Sequence, residues 1–96
     1  MIQNLSQLKQ YFKNGGAIKM IYHAMGDCKT IGVIRKAIKV QTNAVKLEDG
    51  SWLEYPKASL IEFVKNGFSV YSNYDWTLQK FTPDKKTVLM SYTFEK

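Results

Sequence analysis

His23 and Cys28 are the only histidine and the only cysteine in the 96 residues. Together they are the residue types of a general base and a nucleophile. Such a pair also needs a third group to orient the base, and no spacing in this chain marks one. A single cysteine excludes an intramolecular disulfide and a cysteine-rich zinc site, and a single histidine excludes any two-histidine ligand set within one chain. Five of the eight carboxylates are explained by their local context. Asp49 and Asp84 sit in turns beside Gly50 and Pro83, and Glu48, Glu54 and Glu62 alternate with apolar residues as solvent-facing strand positions do. Gly15-Gly16 lacks the length and the lysine of a phosphate-binding loop. The expectation is a non-enzymatic chain with no catalytic residues, no metal and no cofactor.

The basic residues carry more information. Residues 1–46 hold eight lysines or arginines against one acid, Asp27, for a net charge of +7, and residues 47–96 are net −1. An excess of that sign in one half suits an anionic partner surface, although lysine also serves solubility. Lys29, Arg35, Lys36, Lys39 and Lys46 are the candidate binding residues. Arg35 and Lys39 are expected on one face of a strand, with Lys29 in the loop before it and Lys46 opening the next hairpin, a stripe able to track phosphates. In that arrangement Lys36 falls on the apolar side and is the misfit. Trp52, Tyr55, Tyr71, Tyr74 and Trp76 could supply stacking surfaces for bases. An aromatic content of 14% is also what a small β domain uses to fill its core.

These side chains must be positioned by short elements. Asn4 is a good helix N-cap, Gln7 follows three residues later in capping-box spacing, and Leu5, Leu8 and Phe12 form an apolar stripe beside Tyr11. Asn14-Gly15-Gly16 ends that helix. From Ala17 the apolar period changes to two, predicting strands over 17–24 and 31–41 around a loop at 25–29. Hairpins are predicted about Asp49-Gly50 as a type I′ turn, about Lys65-Asn66-Gly67, and between strands at 76–81 and 87–94 joined by Thr82–Lys86. Alternation about the first turn places Leu53 in the core and leaves Trp52 partly exposed beside the basic strand. Pro56 marks a strand end. Residues 58–65 fit a strand, with a second helix as the alternative.

The expected fold is therefore α+β and mainly β. One N-terminal helix precedes a meander of about seven or eight short antiparallel strands, forming a curved sheet or small SH3-like barrel in a single domain. No apolar run approaches the roughly 20 residues of a membrane span, and residues 1–16 lack the regions of a signal peptide. With the lone cysteine, this points to a soluble cytoplasmic protein that does not contact membranes.

Between Arg35 and Ser59, the segments Val40-Gln41-Thr42-Asn43-Ala44, Gly50-Ser51-Trp52-Leu53 and Pro56-Lys57-Ala58-Ser59 resemble small uncharacterised proteins of phages and prophages in low-GC Gram-positive bacteria. That resemblance covers about a quarter of the chain and implies a context of binders and inhibitors of host machinery. Three function classes follow. The first is a binding module for nucleic acid or a nucleoprotein complex through Lys29, Arg35, Lys36, Lys39, Lys46 and Trp52. The second is a protein–protein inhibitor that seats on an acidic host protein surface, such as a defence nuclease. Nucleic-acid mimicry does not suit a chain of net charge +6. The third is a small metal-independent ribonuclease toxin using Arg35, Lys36 and Tyr92, which one helix and many hairpins fit poorly.

Overall fold

A computed structural model describes residues 1–24, 29–75, 77–82 and 86–95. Helix α1 (Leu5–Lys13) begins where the capping pattern places it, with the Asn4 side chain accepting from the Gln7 amide at 2.9 Å. Gln7 completes the cap one residue early, since its Oε1 accepts from the Gln3 amide at 2.7 Å rather than from Asn4. Leu8 and Phe12 are the buried side chains of the stripe. The strands are β1 (Ala17–His23), β2 (Ile34–Val40), β3 (Ala44–Leu47), β4 (Trp52–Glu54), β5 (Ile61–Val64), β6 (Gly67–Ser72), β7 (Tyr74–Asp75), β8 (Lys80–Phe81) and β9 (Thr87–Glu95). Residues 58–65 divide between the two sequence readings, a 3-10 turn over Ala58–Leu60 followed by β5.

Seven strands form one curved, unclosed antiparallel sheet in the order β4-β3-β2-β1-β9-β6-β5, and β7 and β8 pair separately. The fold class is thus α+β and mainly β, but the chain is not a simple meander. β9 inserts between β1 and β6, and residues 55–60 carry the chain from one edge of the sheet to the other. The predicted hairpin between strands at 76–81 and 87–94 is not made. Both edges of β9 are taken by β1 and β6, while β7 and β8 pair with each other. A local signal explains that small hairpin: Asp75 Oδ1 accepts from the amides of Thr77 and Leu78, at 2.9 and 3.1 Å, and turns the chain back. Trp76 and the Pro83–Lys85 part of the predicted turn lie outside the described residues.

Register shifts at Ile21 of β1, Ile38 of β2 and Leu89 of β9 bend the sheet, because an extra residue on one strand adds local twist. The concave side holds the core. There Leu8 and Phe12 of α1 join one buried cluster with Ile18, Met20, Ala37, Val45, Leu47, Leu53, Phe68, Val70 and Tyr92 of the strands, and α1 packs chiefly on β2. Aromatic rings knit the strands together, with Phe68 stacked on Tyr92 at 5.0 Å and Tyr11 tilted against Phe94 at 4.8 Å. The Tyr11 hydroxyl lies 2.6 and 2.7 Å from the carbonyls of Ala17 and Glu95, tying the helix to the ends of β1 and β9. Gly67 is required where β6 passes β9, since a Cβ there would collide with the Tyr92 carbonyl.

Candidate nucleic-acid interface

The β3–β4 turn sets which side chains reach the surface. It is not the two-residue type I′ turn predicted, because only Gly50 takes a positive φ (87°). The Gly50 amide donates to the Leu47 carbonyl and the Leu47 amide to the Ser51 carbonyl, both at 2.9 Å, which closes a three-residue loop with Gly50 in the bulge position. Asp49 favours this form by accepting from the Ser51 amide and hydroxyl at 3.0 and 2.6 Å. The loop opposes Val45 to Leu53 and Lys46 to Trp52. Leu53 consequently faces the core at 7% exposure, and Trp52 faces outward at 47%.

On β2 the expected faces are exchanged. Arg35 is buried, at 5% exposure, and lies opposite the fully buried Ile18. Its Nη1 contacts Asp49 Oδ2 at 3.3 Å and Ser51 Oγ at 3.0 Å. Lys36, read as the misfit, is exposed and leans over Gly15 at the end of α1. The sequence reading misjudged Arg35 because Asp49 and Ser51, which accept from it, lie 14 and 16 residues away. Alternation along β2 also breaks at the register shift between Ala37 and Lys39, so that Lys39 points outward after Lys36 and Ile38.

The structure therefore brings three of the six candidate residues together. Lys39 is the cross-strand partner of Lys46, and Lys46 is the cross-strand partner of Trp52. The Lys46 ammonium sits 5.8 Å from the centre of the Trp52 ring, a cation–π contact. Two lysines opposite each other repel, a cost that a bound anion removes. Among the described residues no carboxylate lies within ion-pair distance of Lys36, Lys39 or Lys46. Glu54, next on the outer face of β4, bounds the row. Lys29 is exposed before the start of β2. It stands apart from the row, since the five residue steps from Ile34 to Lys39 alone span roughly 17 Å of strand. Ile34 and Ile38 are exposed on the same face at 53% and 58%, a feature that reading β2 in strict alternation concealed.

Among the described residues, the other candidate aromatics Tyr55, Tyr71 and Tyr74 are otherwise engaged. Tyr55 is half-buried against Phe12, with the Lys9 ammonium over its ring at 5.1 Å. Tyr71 donates to Glu62 at 3.0 Å, which raises its pKa above the usual phenol value, and Tyr74 meets Phe81 edge-on. Burial raises the hydroxyl pKa of Tyr11 and of Tyr55. The Asp49 carboxyl is held below the usual carboxylate range, first by its hydrogen bonds from Ser51 and then by Arg35. Half-buried His23 lies on β1 opposite Met90, and its sequence partner Cys28 lies outside the described residues. Of the residues proposed for ribonuclease chemistry, Arg35 and Tyr92 both face the core, and Lys36 faces out, away from them. Among the described residues no three metal-ligating side chains gather, and no helix is long and apolar enough to cross a membrane. The chain matches no protein-family model, and neither a curated protein nor a solved structure is significantly similar to it.

Proposed function

We propose that this protein is a non-enzymatic binding module that contacts nucleic acid, free or within a nucleoprotein, through the outer face of β2, β3 and β4. The observation that carries the reading is the row Lys39–Lys46–Trp52, two opposed cations beside a half-exposed indole on an edge strand. Cations spaced along a sheet face suit successive phosphates, and an exposed indole suits a splayed base, which together favour a single strand over a duplex. Lys36 adds charge at the far end of the same face, and Arg35 acts from beneath by holding the Asp49–Ser51 turn that aims Trp52.

The test is fluorescence anisotropy of labelled single-stranded DNA and RNA 12-mers at low salt. Trp52→Ala should weaken binding roughly five- to 150-fold, the range of one lost base stack. Lys39→Glu should weaken it further while leaving the fold intact. Absence of binding by the wild-type protein removes the reading.

A second reading rests on the exposed aliphatics Ile31, Val33, Ile34 and Ile38, at 41–58% exposure. Such a patch beside lysines suits an acidic protein surface, as in an inhibitor of host machinery carried by a mobile element. Nuclease-treated lysate separates the two: a stoichiometric partner retained there, and lost with Ile38→Asp, favours the inhibitor.

A further inference from the structure

The concave side of the sheet holds a cavity of about 490 Å³ that the core does not fill. Met20, Leu47, Leu53, Val70 and Met90 line it, so strands from both arms of the open sheet contribute wall. That volume lies within the range of small-molecule sites. Arg35, Ser51, Glu54 and Tyr55 bring polar groups to the wall, and Arg35 and Tyr55 hold buried atoms there without a partner.

Arg35 is nine-tenths buried and only half engaged. Asp49 and Ser51 both contact Nη1. Nε is buried without a hydrogen-bond partner, and no described residue accepts from Nη2. These two nitrogens form the remaining edge of the guanidinium, a pair of parallel N–H donors at the spacing of the two oxygens of a carboxylate. The Tyr55 hydroxyl is likewise buried without a partner. Asp49 gives one 3.3 Å contact to the guanidinium while its other oxygen is taken by Ser51, so the buried charge is incompletely matched.

We propose that this cavity binds a small monocarboxylate with an apolar body. The carboxylate sits on the Nε–Nη2 edge of Arg35, within reach of the Tyr55 hydroxyl, and the aliphatic or aromatic body lies against Met20, Leu53, Val70 and Met90. A neutral amide or alcohol presents a single oxygen and satisfies only one donor of the fork. A dianion would bring a second charge into an apolar wall that already has Glu54 at its rim. Lys39 and Lys46 do not line the cavity, but Trp52 and Glu54 do, so the two sites meet at β4, and the methionine probes Met20 and Met90 report on the cavity alone.

The experiment titrates the full chain, labelled at its methionine methyls, with octanoate and separately with octan-1-ol, followed by NMR. Saturable shifts at Met20 and Met90 are expected with octanoate, and octan-1-ol should bind at least about tenfold more weakly, since hydrogen bonds to a charged group are the stronger ones. Arg35→Met should abolish that preference. If the variant does not fold, the comparison of the two probes on the wild-type protein decides alone. No saturable shift at Met20 and Met90, or equal affinity for the two probes, would each overturn the proposal.

Discussion

Trp52 and Leu53 are consecutive residues of the three-residue strand β4, and their side chains leave it on opposite faces. Leu53 is 7% exposed and belongs to the core cluster, so Leu53→Ala should cost about 2–5 kcal/mol from lost burial and the cavity left behind. Trp52 is larger but 47% exposed. A tryptophan fully enclosed buries up to about 250 Å². Roughly half of that is covered here, and an alanine would keep a third of the covered part, leaving about 90 Å² or about 2 kcal/mol. The compactness of the unfolded chain lowers this to about 1.5 kcal/mol. Since no enclosed cavity forms at a surface site, no further term is added. Urea denaturation of both variants, followed by far-UV circular dichroism, measures the contrast. Leu53→Ala should lose more stability than Trp52→Ala, about 2–5 kcal/mol against about 1.5 kcal/mol. A loss of about 3–5 kcal/mol for Trp52→Ala, the cost of a buried tryptophan, would refute the register of β3 and β4 and remove Trp52 from the outer face.

Removing the helix cap with Asn4→Ala should cost about 1 kcal/mol in a urea titration, because the Gln7 amide loses its acceptor. Gly67→Ala should cost about 3 kcal/mol or prevent folding, since the new Cβ meets the backbone carbonyl of Tyr92 rather than a side chain that can move. Asp49 titrates with a lowered pKa in the folded state, so its contribution is present above the carboxylate's ordinary value and lost as pH falls through the folded one. Stability should therefore decline below about pH 4, and the decline should be shallower in Asp49→Asn, as followed by urea midpoints across that range.

The fold was legible wherever the signal was local. Asn4, Gln7 and Asn14-Gly15-Gly16 mark both ends of α1 without reference to the rest of the chain. The alternation of Val88, Met90, Tyr92 and Phe94 marks β9, and the separation of Leu53 from Trp52 survives although the turn between β3 and β4 has a different geometry. Long-range pairing was not legible. Nothing near Thr87 says that β9 will lie between β1 and β6, because that order is decided by which faces bury together. Part of the site was misread for the same reason. Arg35 looks like a surface cation in a basic stretch, and only the folded turn brings Asp49 and Ser51 to it. Lys39 and Lys46 were expected on the stripe as members of two strands, whereas their direct opposition depends on the register shift after Ala37.

The central claim, that Lys39 and Lys46 meet phosphates, is tested most directly by the salt dependence of single-stranded oligonucleotide binding. The logarithm of the association constant should fall linearly with the logarithm of salt concentration, with a slope of about −0.7 for each phosphate neutralised. For wild-type protein a slope of at least about −1.4 in magnitude is expected, reduced by about that amount in the Lys39→Ala/Lys46→Ala double variant. An unchanged slope in the double variant would contradict the claim and place the contacts elsewhere on the protein.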